Sequence, residues 1–388
     1  MTVDRAWIKR NLGFDPIANP APATTFAFTK AALPSSTPED MQREIIDFDS
    51  EAPEGIAFLA FTTATGLSRF TEIPWPRGLA PKTGAKPSRS GGSALPEADV
   101  LVVTWTVDEG HALSRVLTPG KDSRDDYVSY AHNYATIAKK MRKGCPAVKA
   151  KRLGAYWTTT IGERKVVVFK SDSHLSQDTK KLPVAGGTLP NEDVWQQIIT
   201  EVKPKLVITT GTAGGIGKQC EVGDVVVSPI VRFDCKKWLK SERYHNAIYR
   251  DGGLKTKYLV QAKTLFKANA DQLPKDNTRG PKIMRGTGPS SSVLTTDFFG
   301  FDTSNNYYGL QKLGDVSEMG DAVLGLVMKR LGTKELRWVA VRNVSDPQIK
   351  AEGTIKEQAK AAGVIYKGFG RWSTVCSAIV CWALIAAE

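Results

Sequence analysis

The sequence predicts an α/β fold in which helices cover both faces of a largely parallel sheet. From Asp99 onward, short β-branched apolar runs alternate with longer helix-like runs, which is the pattern of strand–helix–strand units. Several predicted strands end in polar or glycine-rich stretches, as expected where ligands bind at the carboxyl ends of strands. The chain has 388 residues, of which 41% are hydrophobic and 24% charged. These proportions fit a globular protein with a substantial core.

The N-terminal part differs in composition from the rest. Residues 1–80 are rich in Pro, Thr and Ala, and we expect one helix after Thr37-Pro38 and one strand at 56–63. Residues 81–95 are rich in Pro, Gly and Ser and predict a linker that cannot bury enough apolar surface to order itself. We therefore divide the chain into an N-terminal extension of uncertain fold (1–80), this linker, and a main domain over 96–388.

The main domain follows the alternating order element by element. Compact β-branched runs favour strands, and longer runs with apolar residues on one face favour helices. The predicted strands are Val100–Thr104, Lys165–Lys170, Leu206–Thr210, Val225–Phe233, Val293–Leu294 and Leu336–Val344. One helix is predicted to begin near Glu109. Further helices are predicted at Asp193–Val202, at Ala322–Leu331 and over about the last fifteen residues.

The net charge of +13, from 53 Lys and Arg against 40 Asp and Glu, allows several partners. It could attract nucleic acid, an anionic metabolite or an acidic protein, or it could belong to a solvated surface. The basic residues are scattered, and no zinc finger, helix-turn-helix or aromatic RNA-binding signature accompanies them. The sequence therefore disfavours a nucleic-acid partner.

The cysteines indicate a reducing environment. There are five, an odd number, and none forms a CxxC pair. This argues against a disulfide framework or a zinc ribbon. The start of the chain lacks a signal-peptide core, and the longest apolar run is too short to span a bilayer. We expect a cytoplasmic protein without a membrane partner.

Four polar stretches each allow two interpretations. Their residues could take part in chemistry, or they could have an ordinary structural role. The acids of 104–109 could include a general base or could sit at a helix N-terminus. The glycines of 211–215 could approach a ligand closely or form a turn. The acids of 317–321 could bind a vicinal diol or cap a helix. The Ser-Asp-Pro at 345–347 could provide a proton donor or form a turn.

In this order, the four stretches resemble the nucleoside phosphorylase and nucleosidase superfamily. The resemblance is strongest to the branch of methylthioadenosine/S-adenosylhomocysteine nucleosidase and AMP nucleosidase. It runs from Val100 to Pro347, and its most specific part is ValIleThrThrGlyThrAlaGlyGly followed by GluValGlyAspValValVal. It implies a three-layer α/β/α fold around a mixed, partly closed sheet, and cleavage of a purine N-glycosidic bond. It also implies homo-oligomers, with no cofactor and no metal.

The resemblance assigns roles to individual residues. Asp346 would be the general acid that protonates the purine, and Glu109 would orient and activate water. The glycine loop would contribute Gly211, Thr212, Ala213 and Gly214; the base would meet Phe299 and Ser345; the ribose would meet Glu318, Met319 and Asp321. The chain departs from the family at Gly320, where the family has a second ribose-binding Glu. Either Glu318 or Asp321 would substitute, or the sugar would be recognised differently.

Thr209 bears on the nucleophile. The resemblance places the phosphate-binding Arg of the phosphorylases at this position, and a hydroxyl cannot replace a bidentate cation. Together with Glu109, this predicts hydrolysis. A phosphorylase remains an alternative, as does a module that senses nucleotides without cleaving them.

The residues expected near the 5′ end of the sugar are polar. Ser173 and His174 occupy a loop where the thioether nucleosidases are apolar, and Lys350 and Lys356 follow Asp346. These residues could bind a 5′-phosphate, which predicts an adenine nucleotide such as AMP or ATP as substrate. The alternative is that both lysines lie on the surface. By analogy with nucleotide-degrading family members, the extension suggests a role in phage defence.

Overall fold

The computed structural model describes residues 73–88, 91–268, 281–286, 288–332 and 335–388. The helix and strand predicted after Thr37-Pro38 and at 56–63 lie outside these ranges.

A mixed sheet forms the middle layer of the main domain. Its long strand β6 pairs in parallel with β2 and β13, and its last residues pair antiparallel with β12. The order on one side of β6 is β1-β4-β5-β2, and on the other side it is β12-β11-β8-β9, while β13 connects β6 to β7. The strands are β1 Lys82–Thr83, β2 Val100–Thr104, β3 Val128–Tyr130, β4 Gly154–Ile161, β5 Arg164–Ser171, β6 Leu206–Gly215, β7 Val225–Ser228, β8 Ile230–Asp234, β9 Ile248–Arg250, β10 Ile283–Arg285, β11 Val293–Thr296, β12 Val316–Glu318 and β13 Arg337–Asp346.

Helices cover both faces of this sheet, as predicted. Val100 and Val102 of β2 face a core that includes α1 and α8, whereas Leu101 and Val103 face a core that includes α5 and α7. This alternation is the period of two that a strand buried on both faces requires. The fold is therefore a three-layer α/β/α arrangement. The helices are α1 Val107–Leu117, α2 Tyr134–Ile137, α3 Pro146–Ala150, α4 Leu175–Asp178, α5 Pro190–Val202, α6 Leu259–Ala268, α7 Asp321–Leu331 and α8 Ile355–Ala386.

Two strand predictions differ from the structure. The strand predicted to end at Thr210 continues to Gly215, because the backbone of the glycine stretch pairs with β12 and β13. The single strand predicted at Val225–Phe233 is two strands separated by Pro229, which has no N–H to donate to a sheet. The first of these strands pairs with β13 and β10, and the second pairs with β11 and β9.

The C-terminal helix α8 is much longer than predicted. It covers 32 residues and begins with a capping box between Thr354 and Glu357. Its N-terminal half contains Gly363, Gly368 and Gly370, whose low helix propensity conceals the helix in the sequence. Among the described residues, no helix reaches the combination of length and apolarity that a membrane crossing requires.

The described part of the predicted linker is bound to the sheet. Lys82–Thr83 pairs with β4, and the indole N–H of Trp157 donates to the carbonyl of Gly84 at 3.0 Å. The indole N–H of Trp382 in α8 donates to the carbonyl of Leu79 at 2.6 Å. Residues 82–84 are therefore held to the sheet by backbone hydrogen bonds, which supply what apolar burial could not. The boundary near residue 95 stays a prediction.

We expect Trp382→Phe to lower the free energy of unfolding by about 2–4 kcal/mol, because it removes a buried hydrogen bond and leaves a small cavity. Urea unfolding measures this. Trp195→Phe is a matched control, since Trp195 is also buried but has no indole hydrogen bond to a described residue. Proteolysis between residues 75 and 88 should increase only in Trp382→Phe. Equal effects in both variants would contradict the anchoring role of Trp382.

Candidate active site

A cleft at the carboxyl ends of β2, β5, β6, β11, β12 and β13 brings together most of the predicted site residues. It encloses about 750 Å³ of open space, including its mouth. The predicted residues that line it are Glu109, His174, Thr212, Ala213, Gly214, Phe299, Glu318, Met319, Ser345 and Asp346. The lining residues to which the sequence assigned no individual role are Trp105, Thr106, Thr296, Gly300, Ser317, Arg342 and Tyr366.

Glu109 lies at the N-terminus of helix α1 and also lines the cleft, so both positions suggested by the sequence apply. As the third residue of α1 it completes a capping box with Thr106, whose backbone N–H donates to its Oε2 at 2.9 Å. Its Oε1 accepts from the backbone N–H of Thr212 at 2.7 Å and from the Thr212 hydroxyl at 2.6 Å. Burial would raise the pKa of Glu109, but the Arg342 charge and these hydrogen bonds outweigh it, so the pKa is lowered. Glu109 is therefore an ionised, fixed carboxylate.

Gly211 allows the carboxylate of Glu109 to approach the backbone of β6. A Cβ atom at this position would lie 2.6 Å from the carboxyl carbon of Glu109, and the φ angle is +147°. Only glycine meets both conditions without strain. Gly211 itself is not part of the cleft lining.

Asp346 ends β13 at an irregularity in the pairing with β6. The register shifts between Val344 and Asp346, and such a bulge redirects side chains at the end of a strand. The Ser345 hydroxyl donates to Oδ1 of Asp346 at 2.8 Å. Burial raises the pKa of Asp346 to about 7, against a smaller lowering by Ser345. Near neutral pH this carboxyl can therefore carry and release a proton.

Arg342 is the cation of the cleft, and the carboxyl groups of Asp321 and Glu318 bind it. Its Nε donates to Oδ2 of Asp321 at 2.8 Å, and its Nη2 donates to Oε2 of Glu318 at 3.1 Å. Its guanidinium also lies 4.6 Å from the ring centroid of Trp105, within cation–π range. The pKa of Arg342 is raised, because attraction to Asp321 and Glu318 outweighs the effect of burial.

The predicted ribose residues lie at different depths. Glu318 and Met319 line the cleft, whereas Asp321 lies behind them with both carboxylate oxygens bound to Arg342. Burial and the Asp321 charge raise the pKa of Glu318 to about 8, although Arg342 acts in the opposite direction. A Cβ atom at Gly320 would lie 3.1 Å from the Trp105 ring, so this ring fills the space beside the glycine.

His174, Thr106 and Tyr366 line the cleft together. The Tyr366 hydroxyl lies 3.2 Å from the Thr106 hydroxyl. The His174 side chain is buried, and its ring forms no hydrogen bond with any other described residue. Burial and the Lys170 charge lower the pKa of His174 to about 4. The ring is therefore neutral and has one donor and one acceptor for a ligand.

The other proposed phosphate ligands lie outside the cleft lining. Ser173 is buried behind the cleft. Lys350 is exposed and paired with Glu352, and Lys356 is exposed in the first turn of α8. Thr209 is also outside the lining, buried in β6.

The sequence of the chain matches a known family over most of the main domain. A family model described as the phosphorylase superfamily matches residues 128–365. The chain belongs to the phosphorylase superfamily. Comparison with curated proteins gives no significant match.

Several solved structures are similar to this superfamily member. The methylthioadenosine/S-adenosylhomocysteine nucleosidase from Neisseria meningitidis is 15% identical, with 75% of this chain and 100% of that chain covered and a TM-score of 0.46. The futalosine hydrolase of Helicobacter pylori is 12% identical, with 73% of this chain and 96% of that chain covered and a TM-score of 0.44. The S-adenosylhomocysteine nucleosidase from Streptococcus pyogenes is 14% identical, with 76% of this chain and 98% of that chain covered and a TM-score of 0.44.

We expect Gly211→Ala to lower the free energy of unfolding by about 3–5 kcal/mol, since it adds a clash with Glu109 to the strain of a positive φ. Gly332→Ala is the matched control, because Gly332 has a φ of +65° and no atom within 4 Å of an added Cβ. It should cost only about 1–2 kcal/mol. Chemical denaturation of both variants measures the difference. A cost for Gly211→Ala no larger than that of Gly332→Ala would contradict the close approach of Glu109.

Proposed function

We propose that this superfamily member hydrolyses the N-glycosidic bond of an adenine nucleoside or nucleotide. The observation that carries the proposal is one cleft that contains a carboxyl able to give up a proton near pH 7, Asp346, and an ionised carboxylate, Glu109. Two carboxyls whose environments drive their pKa values apart are suited to act as general acid and general base.

The proposed reaction needs both carboxyls in turn. Asp346 donates its proton to N7 of the purine, so that the electron pair of the breaking C1′–N9 bond passes to a neutral base. The sugar then has oxocarbenium character at C1′. Water adds to C1′ and loses a proton to Glu109, giving free base and free sugar. Positioning and proton transfer account for most of the rate enhancement in such a reaction.

Glu109 and Asp346 reach β6 at different residues. Glu109 accepts hydrogen bonds from Thr212, and an added Cβ at Gly214 would lie 3.0 Å from Oδ2 of Asp346. This supports separate roles for the two carboxyls, one at the base and one at the water.

The charges in the cleft favour water over phosphate as nucleophile. Among the described residues that line it, Arg342 is the one Lys or Arg side chain, and Glu318 and Asp321 already bind it. Inorganic phosphate would have to compete with both carboxyl groups for this guanidinium. This supports hydrolysis over phosphorolysis.

The residues expected near the 5′ end of the sugar help to distinguish a nucleoside substrate from a nucleotide substrate. His174, Thr106 and Tyr366 offer neutral hydrogen-bonding groups to a polar 5′ substituent. Lys350 and Lys356, which the sequence suggested for a 5′-phosphate, do not line the cleft. Among the described residues the arrangement therefore favours an uncharged 5′ group, and AMP or ATP is the second candidate. The cytoplasmic location, homo-oligomeric state and defence role remain predictions from the sequence.

Release of adenine from adenosine, methylthioadenosine, AMP and ATP, with and without phosphate, tests this proposal. We expect release without phosphate, fastest from adenosine, whose 5′ group is polar and uncharged, and a loss of at least about 100-fold in Asp346→Asn and Glu109→Gln. Activity confined to methylthioadenosine would contradict the assignment of the sugar end. Strict dependence on phosphate would identify a phosphorylase, and binding without release would identify a sensor.

The pH dependence follows from the two carboxyls. Asp346 acts in its protonated form, so kcat/KM should fall about tenfold per pH unit above roughly pH 7. Glu109 acts in its ionised form, and its lowered pKa keeps it ionised through the weakly acidic range. The acid limb should therefore lie below the pH range in which an ordinary glutamate titrates. Initial rates from pH 4 to 9 measure both limbs, and an alkaline limb that persists unchanged in an active Asp346→Glu variant would contradict the role of Asp346.

A further inference from the structure

The peptide unit between Gly211 and Thr212 is held at both of its polar ends. Its carbonyl oxygen accepts a hydrogen bond from Nδ2 of Asn343 at 2.8 Å. Its N–H donates to Oε1 of Glu109 at 2.7 Å. The C=O and N–H of a trans peptide unit point in opposite directions, so a bond that fixes the carbonyl also directs the N–H.

This peptide unit needs an anchor because glycine precedes it. Gly211 has a φ of +147°, and no side chain limits its backbone. Gly211 and Thr212 pair with Arg342 and Asn343 of β13, so the unit lies beside its anchor in the sheet. Without the Asn343 bond, the carbonyl of this unit would lose its side-chain anchor, and the Thr212 N–H would be less firmly directed toward Glu109.

Asn343 is itself fixed by α8. Its Oδ1 accepts from the Ser373 hydroxyl at 2.6 Å, and its Nδ2 lies 3.0 Å from the Ser377 hydroxyl. The Gly211 carbonyl can only accept a hydrogen bond, so the amide nitrogen must face it and the amide oxygen must face Ser373. Asn343 and both serines are fully buried, so no bulk water competes with these bonds.

We propose that Asn343 is a positioning residue that holds Glu109 in place through the Gly211–Thr212 peptide unit, with α8 as its support. Asn343 does not line the cleft, and so it acts without contacting the substrate. The catalytic consequence rests on the proposed function, which gives Glu109 the water-orienting role. The geometric part concerns Glu109 alone and can be measured without turnover.

The electrostatic surroundings of Glu109 define the expected signal. The charged or titratable groups that face it are Arg342 from β13 and His174 from the loop after β5. The Thr212 hydrogen bonds add to the Arg342 charge in lowering the pKa of Glu109. Loss of the anchor should therefore raise this pKa while Arg342 and His174 stay in place.

The test uses Asn343→Leu, which keeps the size of the side chain and removes its amide, and the milder Ser373→Ala. We expect kcat to fall about 10- to 100-fold in Asn343→Leu and about 3- to 10-fold in Ser373→Ala, with KM within about twofold. The acid limb of the kcat/KM profile should move to higher pH in both. Val380→Ala, also buried in α8, should lower the melting temperature without moving the limb.

Titration of ¹³C-labelled glutamate by NMR, with Glu109→Gln to assign the signal, reads the pKa of Glu109 directly. A raised pKa in Asn343→Leu or Ser373→Ala supports the proposal, even if the wild type releases no base and the proposed function fails. An unmoved pKa with kcat within twofold overturns it, even if the wild type is an active nucleosidase. If Asn343→Leu does not fold, Ser373→Ala decides by the same two readouts.

Discussion

The buried guanidinium of Arg342 is the interaction on which the rest of the cleft depends. A cation removed from water is tolerated only when carboxylates and hydrogen bonds surround it, and Asp321 and Glu318 provide these. This pairing ties β13 to α7 and β12, and the guanidinium lies over the ring of Trp105. The same charge helps to keep Glu109 ionised. The pKa values of the two carboxyls therefore differ, because burial dominates at Asp346 whereas the Arg342 charge and hydrogen bonds dominate at Glu109.

Much of the fold and several site residues could be predicted because their signals are local. The strand at Val100–Thr104 and the run before Gly211 are visible as compact β-branched segments, and each is followed by polar or glycine residues. Parallel strands present such endings at one edge of a sheet, so Glu109, Thr212 and Asp346 could be expected to meet there. The structure brings all three to one cleft.

The residues that the sequence could not predict depend on contacts between distant segments. Arg342 lies in the polar end of its strand, but its partners come from a different strand and helix, which the strand alone cannot indicate. Tyr366 reaches the cleft from α8, 260 residues away from the Thr106 hydroxyl that it contacts. Gly320 looked like the loss of a ribose ligand, but the indole that fills the space beside it follows another strand. A pattern within one segment cannot show which residues of another segment will lie beside it.

Helix α8 has a consequence for the synthesis of this protein on the ribosome. It supplies Tyr366 to the cleft and the hydroxyls of Ser373 and Ser377 to the support of Asn343. All the carboxyl groups of the site lie earlier in the chain, so a nascent chain acquires both proposed catalytic carboxyls before the segment proposed to support them. The cleft reaches its full arrangement only after residue 377 has left the exit tunnel. An incomplete chain would thus contain the chemical groups of the site without the rigidity that their proposed chemistry requires.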